Sequence, residues 1–246
     1  MVARRGPAEG EEWGRGDEGL TGLMGVVSIA ASRAWESAIV RLGHISDLHI
    51  ADRSRYPRNG FTAKDCDRHS ARLAKGLLDA LREVGVDHLL VTGDLTLSAE
   101  PREFERAADL LRPWAEAGNL TVVPGNHDLW TEDSVDTGRF LRAIGPDGKG
   151  MRRPEPTYPH VARMPLADAD QVIRLLAELP VAAVLHGHRH CAFRVDVPGV
   201  KGPVPILCAG SVSRVHDEPV RRARAYVYEV DAGGLRGIEA LVSGTP

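Results

Sequence analysis

The 246-residue chain contains little cysteine and no long apolar run. Its three cysteines, Cys66, Cys191 and Cys208, are far apart and form no CxxC pair, which argues against a zinc ribbon or a redox motif. Free thiols are typical of a reducing compartment, so we expect a cytoplasmic protein. The longest low-charge run near the N-terminus covers residues 19–32 and is too short for a membrane span, which takes about 20 apolar residues. We therefore expect no membrane attachment.

The chain also lacks an excess of positive charge. Its formal net charge is −3 at pH 7, whereas proteins that grip nucleic acid by bulk electrostatics usually present a basic surface. Hydrophobic residues make up 43% and charged residues 26% of the chain, which is ordinary for a globular protein. These values leave room for a small substrate and carry no information on the oligomeric state.

Two regions of different composition divide the chain. Residues 1–37 are rich in Gly, Arg and Glu with almost no apolar periodicity, which predicts a disordered N-terminal extension. Met24 offers an alternative start within it. From residue 38 the pattern changes to short apolar runs and helix-period segments, so we predict one domain over residues 38–246.

Strand and helix patterns alternate through most of this domain, which predicts an α/β fold. The predicted strands are 39–45, 88–92, 120–123 and 181–185, and helices are predicted around 73–84, 104–115 and 168–179. Three further apolar runs, at 206–209, 223–230 and 238–242, have no helix between them. We expect these runs to form a second, antiparallel-leaning sheet packed beside the first.

Polar side chains follow four of the predicted strands, each at the point where the strand ends. They are Asp47 and His49, then Asp94, then Asn126, His127 and Asp128, and finally His188 and His190. Loops at the carboxyl ends of neighbouring strands converge in α/β sheets, so these residues can share one site. Asp, His and Asn are ligands for manganese, iron or zinc, and the lack of a thiolate argues against a structural zinc site.

The spacing within these groups has a steric meaning. Residues two apart in an extended segment point the same way, so Asp47 and His49 are expected to reach one ion together, as are His188 and His190. Glycine precedes Asp94, Asn126 and His188, where a larger side chain would obstruct a sharp turn close to an ion.

In this order, the motifs resemble those of the calcineurin-like metallophosphoesterase superfamily. They read Asp47-x-His49, Gly93-Asp94, Gly125-Asn126-His127-Asp128 and Gly187-His188-x-His190. The resemblance runs from about residue 40 to the C-terminus and is strongest to the bacterial cyclic-nucleotide-phosphodiesterase-type (class III) branch. It implies a four-layer αββα sandwich and two divalent metal ions, manganese, iron or zinc.

The resemblance also implies a role for each motif residue. The first ion would be bound by Asp47, His49, Asp94 and His190; Asp94 would bridge to a second ion, which Asn126 and His188 also bind. A metal-bound hydroxide would attack phosphorus, His127 would act as the general acid, and Asp128 would orient the His127 ring. The implied activity is hydrolysis of a small phosphoester, more specifically a phosphodiester.

One expected histidine is missing. The family normally supplies a further second-metal ligand between the Asn-His and Gly-His-x-His motifs, but Asn126 and His188 are only 62 positions apart, as if a strand and its histidine had been deleted. His160 and His186 are the two candidates to replace it: His160 lies in this gap but has no apolar strand before it, and a supporting role is favoured for His186. We therefore expect a weakened second metal site.

Other histidines and other functions stay open at this point. His44 and His88 are interpreted as core histidines, and His69 and His216 as solvated ones. Two alternatives to a phosphodiesterase remain: a nuclease of the same superfamily, and a metal-binding regulatory relative that lost activity with the missing histidine.

Overall fold

The structure, a computed structural model, describes residues 2–5, 27–30, 39–144 and 169–244. The ten strands of this part are Val2–Arg5 (β1), Val27–Ala30 (β2), Val40–Ile45 (β3), His88–Thr92 (β4), Leu120–Val123 (β5), Val181–His186 (β6), Ala192–Val197 (β7), Val204–Ala209 (β8), Arg224–Asp231 (β9) and Gly234–Ser243 (β10). The helices are Ala63–Asp67 (α1), Ala71–Glu83 (α2), Pro101–Glu116 (α3), Glu132–Asp136 (α4), Arg139–Ile144 (α5) and Ala169–Glu178 (α6).

A six-stranded sheet carries most of the predicted site loops. Its strand order is β1-β10-β9-β3-β4-β5. Strands β3, β4 and β5 run parallel, so their carboxyl ends meet at one edge. Strands β9 and β10 join the other side of β3 in antiparallel fashion.

The second sheet has four strands in the order β2-β6-β8-β7. The expectation that the last three apolar runs form this sheet together is correct for β8 and wrong for β9 and β10. Strand β9 is buried along almost its whole length, and it lies inside the larger sheet between β3 and β10. A strand that is covered on both faces has no alternation that would assign it to one sheet.

Three apolar clusters separate four layers. One fills the space between the two sheets and includes Leu42, Leu185 and Tyr228. A second lies between the larger sheet and helices α2, α3 and α5, and a third between the smaller sheet and α6, around Leu176. This confirms the predicted α/β fold with an αββα order of layers.

Local sequence explains the helices that back the larger sheet. Helix α2 begins after Ser70, whose hydroxyl accepts the N–H of Leu73, and its buried residues Ala74, Leu77 and Leu81 recur at helical spacing along one face. Helix α3 begins with Pro at its first position and with a capping box between Glu100 and Glu103.

Several predictions fall on residues outside the described ranges. Strands β1 and β2 lie within the segment 1–37 that is expected to be disordered; they pair with β10 and β6, and the rest of that segment is not described. His160, Asp168 at the start of the helix predicted around 168–179, and the rest of residues 145–168 also lie outside, so the shortening of this region stays a prediction. None of the helices in the described ranges is long and apolar enough to cross a bilayer.

Candidate active site

The predicted site residues meet where the two sheets adjoin. Asp47 and His49 follow β3, Asp94 follows β4, Asn126 follows β5, and His188 follows β6 of the smaller sheet. The loops after β3 and β4 continue side by side beyond the strands: the N–H of Asp47 donates to the carbonyl of Gly93 at 3.1 Å, and that of His49 to the carbonyl of Asp94 at 2.9 Å. Backbone hydrogen bonds therefore fix the loop positions independently of any side chain.

Five of the predicted ligand positions have a left-handed backbone. Their φ angles are 54° at Asp47, 44° at His49, 49° at Asp94, 76° at His188 and 50° at His190. The expected extended geometry is therefore wrong, because sharp turns rather than alternation along a strand aim the paired side chains. Non-glycine residues with positive φ are uncommon and concentrate at functional sites.

Glycine is required at two points of close approach. A Cβ on Gly125 would overlap the Asp94 carboxylate, and a Cβ on Gly187 would overlap the side chains of Ser46 and Asp47. The predicted reason for these glycines is confirmed: the turns pass directly against acidic side chains of the site.

A first cluster is formed by Asp47, His49, Asp94 and His190. The Nε2 atoms of His49 and His190 are 2.8 Å apart. His190 Nε2 lies 3.1 Å from Asp47 Oδ1, and His49 Nε2 lies 3.7 Å from Asp94 Oδ2. One ligand atom from each of the four residues lies within 4.8 Å of the others.

Asn126 and His188 form a second group beside the first. Asn126 Oδ1 is 3.0 Å from His188 Nδ1, and the backbone N–H of His188 donates to both oxygens of Asp47 at 3.0 and 2.9 Å. Asp94 contacts both sides, since its Oδ1 accepts the N–H of His127 at 2.8 Å while its Oδ2 faces His49. The six predicted metal ligands are thus brought together.

Burial sets the charge state of this site. It lowers the pKa of His49 to about 4, so this imidazole is neutral and offers a lone pair. Burial tends to raise the pKa of Asp47, but His190 and His49 outweigh it and hold the pKa well below the usual range. Buried carboxylates beside the neutral imidazole of His49 form a donor set that fits a divalent cation.

His127 is held by contacts other than the expected one. Its Nδ1 is 2.7 Å from the carbonyl of Leu97; a carbonyl only accepts, so Nδ1 carries the proton and Nε2 is the nitrogen available for chemistry. Phe61 and Trp130 flank the ring, with centroids 5.2 Å from that of His127 in both cases.

Asp128 does not orient His127, which corrects the expectation. The fully buried Asp128 carboxylate accepts the N–H groups of Leu95, Thr96 and Gly125 at 2.9–3.1 Å and the Thr96 hydroxyl at 3.0 Å. Burial and the Asp94 carboxylate raise the pKa of Asp128 to about 7, against these donors. Asp128 therefore ties the β4 and β5 loops together, because its short side chain points into their backbone rather than along the His127 ring.

The comparisons with known proteins agree with this geometry. A family model described as calcineurin-like phosphoesterase matches residues 40–162, half of the chain. The chain belongs to the calcineurin-like phosphoesterase family. A cAMP/cGMP dual specificity phosphodiesterase from Mycobacterium tuberculosis is 25% identical to this phosphoesterase over 211 residues. That alignment covers 82% of this chain but 57% of the relative, so the chain spans little more than half of that protein.

Two solved structures are similar at lower identity. A Vps29 variant from Entamoeba histolytica is 17% identical, with a TM-score of 0.40, and the match covers 83% of this phosphoesterase and 100% of that chain. Yfce, a phosphoesterase from E. coli, is 15% identical, also with a TM-score of 0.40, over 81% and 98% of the two chains.

One histidine of the phosphoesterase site is missed by the sequence interpretation. His69, expected to be solvated, is only 8% exposed, and its ring centroid is 4.4 Å from that of His49. Burial lowers its pKa well below 6.5. The only local feature of His69 is that it directly precedes Ser70, the N-cap of α2. No sequence motif marks His69 as a site residue.

The remaining histidines of the described ranges lie outside the cluster. His44 is buried and bonds Tyr228 and Thr92, which confirms a core role. His88 lies at the opposite end of β4 from the site and contacts Thr121 Oγ1. His186, at the end of β6, is buried with its Nδ1 3.0 Å from the Gly187 carbonyl, and His216 accepts the N–H of Glu218.

An open cleft adjoins the cluster. It has a volume of about 500 Å³ and is lined by His49, Arg53, Cys66, His69 and Leu110 among others. A larger cleft of about 660 Å³ lies at the amino end of β6, around Pro180 and Arg236. It contains none of the candidate residues, so the smaller cleft is the one that fits a substrate.

Proposed function

We propose that this phosphoesterase is a metal-dependent hydrolase of small phosphodiesters. The observation that carries the proposal is the convergence of Asp47, His49, Asp94 and His190 within 4.8 Å, with Asn126 and His188 directly beside them. The similarity to a cAMP/cGMP phosphodiesterase supports a diester rather than a monoester. The chain's modest negative charge gives no support to a nuclease.

Two divalent ions fit the donor set, and their ligand sets share only Asp94. Asp47, His49, Asp94 and His190 would hold the first, and Asp94, Asn126 and His188 the second. When bound, such ions supply Lewis acidity toward phosphate oxygens and lower the pKa of a coordinated water. Manganese, iron and zinc suit this mixture of imidazole and oxygen donors.

The protein's own groups would orient the substrate and protonate the leaving group. His127 is fixed by the Leu97 carbonyl with its Nε2 free, so protonated Nε2 would donate to the departing oxygen. Trp130, which stacks on the imidazole, and Phe61, which is tilted against it, restrict its rotation. Asp94 positions the same residue through its hydrogen bond from the His127 backbone.

The two ions would be held with unequal strength. The first has two imidazoles and two carboxylates, whereas among the described residues the second has one imidazole, one amide and the shared Asp94. Fewer ligands predict weaker binding of the second ion, with partial activity at low metal concentration.

Hydrolysis assays with defined metals test the proposal. Chelator-treated protein is assayed with bis(p-nitrophenyl) phosphate and p-nitrophenyl phosphate, with manganese, zinc and magnesium added back separately. We expect metal-restored turnover that favours the diester and is abolished by Asp94→Ala. His88→Asn, which changes a histidine at the far end of β4, is the matched control and should retain activity.

Each other outcome points to a different function. A preference for the monoester would contradict the diesterase assignment. Degradation of single-stranded DNA faster than the small diesters would favour a nuclease. Binding of metal to folded protein without any turnover would favour a regulatory relative.

A further inference from the structure

His69 approaches the first cluster from an element outside the four motifs. It lies at the end of the segment that follows α1, and its backbone forms an isolated β-bridge with Arg214. The next residue, Ser70, donates its N–H to the carbonyl of Ser213 at 2.8 Å. Backbone contacts with residues 213 and 214, which are distant in sequence, therefore hold His69 in place.

Hydrogen bonding fixes the protonation pattern of the His69 ring. Its Nδ1 is 2.8 Å from the hydroxyl oxygen of Ser213, and that hydroxyl is 3.2 Å from the carbonyl oxygen of Asp47. With the Ser213 proton donated to this carbonyl, the hydroxyl oxygen accepts Nδ1–H of His69. The neutral ring then has its lone pair on Nε2. The same arrangement, with one ring nitrogen donating to a protein acceptor, orients histidines that bind metals.

One ring nitrogen of His69 lies close to the first cluster. One nitrogen each from His49, His69 and His190 lies within 4.8 Å of the other two. Three nitrogens on one zinc ion, at bond lengths of about 2.0–2.1 Å and angles near the tetrahedral value, are about 3.3–3.6 Å apart. A decrease of at most about 1.5 Å in the separation of these nitrogens would thus allow all three imidazoles to bind one ion. His69 and His49 also line the same cleft of about 500 Å³.

We propose that His69 is an additional ligand of the first metal ion, through Nε2. This rests on the metal centre of the proposed function and adds a third imidazole to His49 and His190. The first site then has three nitrogen and two carboxylate ligands, while the second has a single imidazole among the described residues. Nitrogen-rich sites favour zinc or iron over manganese and magnesium, so His69 would make the first site selective for zinc or iron.

Metal binding to full-length variants tests the assignment without relying on activity. His69→Asn retains an amide that can replace Nδ1–H toward Ser213 but removes the ligand, whereas His69→Gln places an amide near the position of Nε2. His88→Asn is the control. Each protein is loaded with one equivalent of zinc; X-ray absorption counts the imidazoles on zinc, and chelator competition measures the affinity.

The expected result is three imidazoles on zinc in the unchanged protein and in the control, and two in His69→Asn. We expect zinc affinity to fall at least tenfold in His69→Asn and less in His69→Gln, with manganese affinity changed less than zinc affinity. Two imidazoles in the unchanged protein, or equal zinc affinity in all variants, would overturn the assignment of His69. If the unchanged protein still hydrolyses the diester in that case, only the assignment of His69 fails and the proposed function stands. If the unchanged protein binds no zinc, the assignment of His69 and the proposed function both fail. A cooperative unfolding transition establishes that each variant is folded.

Discussion

Hydrogen-bond direction at single residues determines which nitrogen of each site histidine is available. The Leu97 carbonyl leaves Nε2 of His127 free, and the Ser213 hydroxyl does the same for His69. His190 is the opposite case: Nη1 of Arg214 lies 3.0 Å from its Nδ1. A guanidinium only donates, so Nδ1 accepts and the ring proton is on Nε2, facing Asp47.

His127→Gln tests the proposed role of His127 as the general acid. We expect turnover of diesters with poor, alkoxide-type leaving groups to fall by about 10²–10⁴, the usual contribution of acid catalysis. The loss should be much smaller with p-nitrophenolate, which departs without a proton. Metal affinity should stay unchanged. An equal loss across a series of leaving groups would show instead that His127 acts by electrostatic stabilisation.

Arg214→Gln tests the effect of the guanidinium on His190. A metal at Nε2 replaces the proton there, and Nδ1 must then carry a proton that would face the Arg214 donor. The amide oxygen of glutamine can accept that proton, so we expect several-fold tighter zinc binding, measured by chelator competition at constant pH. Arg214→Lys, which retains a donor, should show little gain. Weaker binding in Arg214→Gln would contradict this account.

At this scale, the sequence predicts motif residues but not contacts between distant segments. Asp47, Asp94 and Asn126 lie near the ends of short, strongly apolar strands, so their convergence follows from the rules of parallel sheets. His69 depends on Ser213, 144 positions away, and no local pattern encodes that pairing. The expected contact of Asp128 with His127 rested on their adjacency in sequence. The Asp128 carboxylate instead accepts hydrogen bonds from backbone N–H groups of a neighbouring loop.

At the scale of elements, Glu103 joins helix α3 to the loops beside the site. Its fully buried carboxylate accepts the N–H groups of Ser98 at 2.8 Å, of Asp52 at 3.2 Å and of Glu100 at 3.3 Å, and Tyr56 donates its hydroxyl to it. One side chain therefore caps the helix and also holds the loops that follow β3 and β4.

Glu103→Gln should destabilise the protein by about 2–4 kcal/mol, because its amide group would face backbone donors and leave them unpaired in the interior. Urea denaturation measures the change in the free energy of unfolding. Tyr56→Phe, which removes only one contact of the carboxylate, should cost about 1 kcal/mol. A loss below about 0.5 kcal/mol in Glu103→Gln would mean that the loops have other supports.

Strand positions follow from the sequence more readily than strand partners. The predicted ranges 88–92 and 120–123 coincide with β4 and β5. The partners of β9 do not follow, since a strand buried on both faces has the same apolar pattern in either sheet. Strand β7 alternates between less and more exposed positions. Its polar residues Arg194 and Asp196 interrupt the apolar run from which the other strands were predicted, so β7 was not predicted.

At the scale of the whole molecule, buried histidines make stability depend on pH. Burial, then His186, lowers the pKa of His44 to about 3, and burial lowers that of His186 to about 4. The unfolded chain binds these protons below about pH 6.5 and the folded protein does not, so stability is complete above pH 6.5 and falls as the pH decreases.

Between pH 7.5 and pH 5 we expect these two residues to cost about 4 kcal/mol of unfolding free energy, at about 1.4 kcal/mol per pH unit for each, and His49 and His69, whose pKa values are also lowered, add to this loss. Urea denaturation in the presence of chelator measures it. His44→Gln should reduce the slope near pH 5 by about one proton. An unchanged slope would show that His44 also titrates in the folded protein.

The two sheets contribute different members of the same cluster: Asp47, His49 and Asp94 extend from the larger sheet, and His188 and His190 from the smaller. Elsewhere the layers meet through the apolar side chains between them, which provide cohesion without directional bonds. A cation held by both sets of ligands would therefore form a reversible cross-link between the two sheets. Chelation would then loosen the contact between the two sheets, starting at the edge that carries the candidate site.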